Sequence, residues 1–101
     1  MTQLGILKSL PIMPESFAFH SAFPNPFNPS TNIKFDLPEY SNVLLEVYDI
    51  NGRIIKELYD GIMDAGYHSI VWNAQQSSSG IYFIKLRAGD FVNTQKVMLV
   101  K

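Results

Sequence analysis

From Thr31 to the last residue, apolar side chains recur at every second position in short runs. In TNIKFDL (31–37), Ile33, Phe35 and Leu37 fall on one side and Asn32, Lys34 and Asp36 on the other. This is the period of a half-buried strand, because successive side chains of extended backbone point to opposite faces. A helix would bury a stripe recurring at three and four residues instead. VLLEVYDI (43–50) repeats the alternation, with Val43, Leu45 and Val47 opposing Leu44, Glu46 and Tyr48. YHSIVWN (67–73) aligns His68, Ile70 and Trp72, and IYFIKLRA (81–88) aligns Tyr82, Ile84 and Leu86. RIIKELY (53–59) is less regular: Ile54 and Leu58 share parity with Lys56 while Ile55 opposes them, which reads as a strand with a bulge. FVNTQKVMLVK (91–101) is the last strand, and SFAFHSA (16–22) supplies a seventh run.

Turn residues separate these runs. Pro38 to Asn42 is a loop. Asn51-Gly52 is a strong hairpin signal and predicts a type I′ turn, which needs positive φ at both central residues. Asp60-Gly61 and Ala65-Gly66 bracket a further connection, Gln75 to Gly80 is a polar turn region, and Gly89-Asp90 is a tight turn. Strands of about seven residues at this spacing, with one wet and one apolar face, predict antiparallel sheets packed in two layers. No stretch is long enough for a crossover helix. The predicted fold is all-β: a seven-stranded antiparallel immunoglobulin-like β-sandwich over residues 16–101, with residues 1–15 as linker. The opening residues are broken by Gly5, Lys8, Pro11 and Pro14. They lack the uninterrupted apolar segment of about 7–15 residues that a secretory leader requires, so no export signal of that kind is expected in them.

The stretch FPNPFNPST (23–31) cannot join a helix or a central strand, because proline lacks the N–H and fixes φ. Asparagine before proline favours turns. Pro24, Asn25, Pro26, Asn28 and Pro29 therefore make a rigid irregular lead-in. Phe23 and Phe27 are expected to tuck into the core and pin it there. Such a segment also blunts an edge strand that would otherwise recruit another chain.

Composition excludes several classes. The net charge of −1 leaves no electrostatic footprint for nucleic acid. With no cysteine there is no disulfide, thiolate chemistry or Cys-based metal site. The two histidines, His20 and His68, stand in no HxH or HxxxH spacing, so no metal or other cofactor is expected. Asp49-Ile50-Asn51-Gly52 lacks the closing glutamate of a calcium loop. Ser77-Ser78-Ser79 reads as a solvated loop with no nucleophile elbow, and no catalytic residues are expected. Tyr48, Tyr59, Tyr67 and Phe83 leave a sugar-stacking face open as an alternative; clustering of Tyr48, Tyr67 and Phe83 on one flat face would favour it.

The blocks PNPFNPSTNIKF, LEVYDINGRIIKEL, AGYHSIVWNA and SSGIYFIKLRAGDFVNTQKVMLVK, in this order, resemble the C-terminal sorting domain of proteins exported by the type IX secretion system. The resemblance spans residues 23–101 and takes in Asn51, Gly52, Gly66, Trp72, Gly80, Tyr82 and Gly89. The hook-capping immunoglobulin-like domain of flagella is a related sequence class. The resemblance implies a seven-stranded sandwich without chemistry of its own, carried by a larger exported protein. It implies recognition by an outer-membrane translocon after passage through the periplasm of a Gram-negative cell, and release to the surface or medium. Removal by a transpeptidase-like enzyme that joins the cargo to a surface lipopolysaccharide is also implied, although residues 1–16 hold no motif assignable to cleavage. The recognition signal it implies is Lys96, Val97, Met98, Leu99, Val100 and Lys101. The alternative is an accessory module that binds carbohydrate or spaces a neighbouring domain.

The last strand has apolar residues on both faces near its end. It is therefore either covered on both sides or presents an apolar side to a receptor. An exposed terminal strand would also allow pairing between copies.

Overall fold

A computed structural model of the chain describes residues 13–101. The expectations of a linker and of no leader fall on residues that, from 1 to 12, lie outside the described ones. The strands are β1 (Ala18–Phe19), β2 (Ser30–Leu37), β3 (Ser41–Tyr48), β4 (Ile54–Met63), β5 (Gly66–Asn73), β6 (Gly80–Ala88) and β7 (Phe91–Leu99). They form two antiparallel sheets in the orders β1–β2–β5 and β4–β3–β6–β7. Among the described residues there is no helix. The fourth strand lies beside the third, whereas a constant-type immunoglobulin domain places it beside the fifth.

The alternation read from the sequence is the core. Ile33, Phe35 and Leu37 of β2 meet Val43, Leu45 and Val47 of β3 and Ile84 and Leu86 of β6, and all are fully buried. Trp72 sits at one end with Phe27 and Tyr82. The Tyr82 hydroxyl donates to the carbonyl of Ser78, four residues upstream. That bond lets a large aromatic ring be buried without stranding its polar tip.

Five local expectations are corrected. Phe23 does not enter the core: it is 77% exposed, and Ala22 is buried instead. Phe23 exchanges backbone hydrogen bonds with Asn32 of β2, at 2.9 and 3.1 Å, which turns its neighbour inward. The first strand is reduced to two residues. The N–H of His20 still bonds Lys34 of β2, but its carbonyl accepts from the Gln95 side chain, so the backbone turns towards β7.

The Asn51 turn is not type I′. Gly52 N–H bonds the Asp49 carbonyl at 3.0 Å, so Ile50 and Asn51 are the central residues. Neither has positive φ, whereas Gly52 has φ 81°. This is a direct turn followed by a left-handed glycine. The Asp49 carboxylate selects it by accepting from the N–H groups of both Asn51 and Arg53. At Gly89-Asp90 the positive φ of 59° falls on the first loop residue, as a type II′ hairpin requires.

The connection read from Asp60 to Gly66 shrinks to Asp64-Ala65, because β4 continues through Gly61 to Met63 and pairs the start of β3. The Tyr59 ring lies over the bare Cα of Gly61, and its hydroxyl donates to Ile62 O. The expected bulge is present but doubled. The β3 step from Leu45 to Glu46 skips Leu58, and the step from Val47 to Tyr48 skips Ile55.

The two phenylalanines of one motif therefore carry unequal weight. Phe27→Ala should destabilise the domain by about 3–5 kcal/mol, the range for truncating a buried aromatic ring. Phe23→Ser should stay within about 0.5 kcal/mol. Denaturant unfolding of the two variants checks this; equal losses would contradict the placement of the rings.

Candidate recognition surface: the terminal strand and its strap

Like any strand, β7 has two edges and two faces. One edge pairs with β6 along its whole length. The inner face places Val97 and Leu99 in the core, at 1% exposure each. The second edge is covered between Lys96 and Val100 by the proline-rich segment, residues 22–29, which acts as a strap.

The strap substitutes for a strand it cannot form. Prolines 24, 26 and 29 have no N–H to offer, so the residues between them do the bonding. Asn25 contributes its carboxamide, which carries a donor and an acceptor much as a peptide group does. Its Nδ2 donates to Lys96 O at 3.2 Å, and Met98 N–H donates to its Oδ1 at 2.9 Å. Phe27 then continues with its backbone: its N–H donates to Met98 O at 2.9 Å, and Val100 N–H donates to its carbonyl at 3.0 Å. Gln95 extends the seam, accepting from Ala22 N–H and donating to His20 O, each at 2.7 Å.

Three contacts fix the strap itself. The Phe27 ring lies 5.3 Å from Trp72, which meets Tyr82 edge-on at 5.4 Å. Thr31 Oγ1 donates to Pro24 O at 2.7 Å, and Ala74 N–H donates to Pro29 O at 2.8 Å. Asn28 is exposed beside them. Gly66 and Gly80 open β5 and β6.

The six terminal residues thus divide. Val97 and Leu99 face the core, while Lys96, Met98, Val100 and Lys101 face solvent. Lys101 is tethered: its N–H donates to Ser79 Oγ at 3.0 Å and its ammonium to Gln75 O at 2.6 Å. Met98 is directly opposite Ile81 of β6. A hollow of about 240 Å³ opens where the strap, β6 and β7 meet, lined by Asn25, Pro26, Ile81, Lys96, Val97 and Met98. The parts played by Asn25, Gln95 and Ile81 were not read from the sequence. Asn-Pro signals a turn, and nothing local to it names β7 as the partner.

The other candidates form no comparable site. Tyr48 and Phe83 are cross-strand neighbours that line a hollow of about 360 Å³ with Asp49, Ile50, Gly52, Lys85 and Thr94, but Tyr67 is on the other sheet. The three aromatics therefore make no single platform. The Tyr48 hydroxyl donates to Glu46 Oε1 at 2.7 Å, and that bond, with burial, raises its pKa above the ordinary phenol value. His20 bonds Asp36 at 2.9 Å, and His68 stacks on Phe35 with its Nε2 2.8 Å from Asp64 O. Among the described residues no three His, Asp or Glu side chains converge as a metal group.

A family model described as the secretion system C-terminal sorting domain matches residues 21–101. No curated protein matches the chain.

Two measurements follow from this geometry. Asn25→Ala should speed hydrogen exchange at the Met98 amide and cost about 1 kcal/mol, the net worth of an ordinary hydrogen bond. An unchanged rate at Met98 would contradict the carboxamide clip.

The Asp49 carboxyl is held below its ordinary pKa of 3.8 by the N–H of Arg53 first, then by the N–H of Asn51 and the Arg53 guanidinium. A depressed folded pKa stabilises the fold above 3.8, and that contribution is lost as pH falls through the lowered value. Asp49→Ala should melt below the parent at pH 7, and the gap should narrow in strong acid. A gap constant with pH would contradict the ionised cap.

Proposed function

The chain belongs to the family of secretion system C-terminal sorting domains, and on that premise we propose that it is a non-catalytic sorting and anchoring module of the type IX secretion system. It directs a larger protein, joined ahead of residue 1, from the periplasm of a Gram-negative bacterium to the cell surface or medium. Its partners are the outer-membrane translocon and a surface transpeptidase. The translocon docks on the folded sandwich, chiefly through Lys96 to Lys101.

The observation that carries this reading is the family match over residues 21–101. The exposure of Lys96, Met98, Val100 and Lys101 on an ordered strand supports it, because a docking signal must be both accessible and fixed in shape.

The test is export. Residues 1–101 are placed behind a fluorescent protein carrying a periplasmic signal peptide, in a host with a working type IX system. Surface or medium fluorescence is expected with the whole chain and is expected to be lost when the exposed Lys96, Met98 and Val100 are together replaced by Glu, which leaves the buried Val97 and Leu99 in place. Periplasmic retention of the whole, folded fusion would overturn the sorting reading.

A further inference from the structure

Around β7 the chain has already occupied three sides of its own signal. Between Lys96 and Val100, β6 takes one edge, the strap takes the other, and the core takes Val97 and Leu99. A partner therefore cannot add a strand to this stretch without first displacing a clip anchored by the buried Phe27 ring. The remaining side is the outward face, and there the tail does not stand alone. Met98 is flanked by Ile81 across the β6 ladder and by Pro26 of the strap, and the three surround the 240 Å³ hollow.

We propose that the secretion machinery reads this composite hollow, built from strap, β6 and β7, and not a linear tail. Its partner is a protein surface presenting an apolar side chain beside a carboxylate. The inference rests on the sorting function proposed above and deepens it. The apolar part of the partner follows from the walls: Pro26, Ile81 and Met98 offer hydrocarbon that water covers poorly, and Met98 is 42% exposed. Methionine adapts its shape to an incoming group. The carboxylate follows from charge. Lys96 is the cation of the hollow, and among the described residues those lining it include no acid. A carboxylate would meet an ammonium without a competing charge on the rim, which favours correct orientation and faster encounter.

Ile81 makes the test decisive, because it lies outside the terminal run yet borders the same hollow. The full-chain fusion is compared with Ile81→Lys, Met98→Lys and Lys96→Glu. Tyr67→Lys serves as control: it changes an exposed residue at the start of β5 on the other sheet. Thermal melting establishes which variants are folded.

The parent and Tyr67→Lys should be exported. Ile81→Lys, Met98→Lys and Lys96→Glu should each reduce surface fluorescence at least ten-fold while folded. Folded Ile81→Lys exported at the parental level would overturn the composite hollow, while export of the parent would leave the sorting function standing. Retention of the parent itself would remove both. Should Ile81→Lys fail to fold, Lys96→Glu decides, since its side chain is exposed: parental export of that variant would overturn the proposed charge pairing and the inference with it.

Discussion

The insertion of Phe27 beside Trp72 is the contact on which the surroundings of the terminal strand depend. A segment with three prolines in six residues lacks three backbone donors and cannot pair as a regular strand, so side chains help hold it in place. Phe27 does this with its ring, 5.3 Å from Trp72, while its own N–H and carbonyl complete two rungs on β7. One residue thus couples the core to the sheet edge. The flanking prolines limit the cost of ordering the segment, because fixed φ angles remove freedom from the unfolded chain. Asn25, between two prolines, adds the next rung with its side chain.

Sheet edges explain much of the rest. The four-stranded sheet ends in β7 on one side and β4 on the other, and the two edges are managed differently. β7 is strapped. β4 carries two bulges and the charges of Lys56, Glu57 and Asp60, which make its edge irregular and wet. β1 is only two residues long, which leaves little edge to template a neighbour. Short, bulged, charged or covered edges all oppose pairing between copies. The self-pairing that an open terminal strand would permit thus meets a physical obstacle along Lys96–Val100.

The alternation of Ile33, Phe35 and Leu37, and of its counterparts in β3, β5 and β6, made the core legible because burial on one face imposes a period of two. Phe23 was misread because that rule has no force in an irregular segment, where a single backbone bridge to Asn32 decides which neighbour turns inward. The Asn51 turn was misread because a dipeptide signal ignores the carboxylate of Asp49 two residues earlier. Gly61 looked like a breaker, yet a strand tolerates glycine when an aromatic ring covers it, as Tyr59 does. The terminal run was legible as a string of residues. Its surroundings were not: Asn25 reaches Lys96 across 71 positions, and no local pattern announces such a pairing.

A tail read as a peptide and a tail read as part of a fold make different demands on an export pathway. A peptide signal works whether or not its domain has folded. A surface shared by the strap, β6 and β7 exists only once the sheets have closed and Phe27 has reached Trp72. Most pairings in this chain join residues distant in sequence, and non-local pairings form late and cooperatively. Recognition of the composite surface would therefore make export conditional on folding. The strap would be the sensor of that condition, since its bonds to β7 join residues more than 70 positions apart.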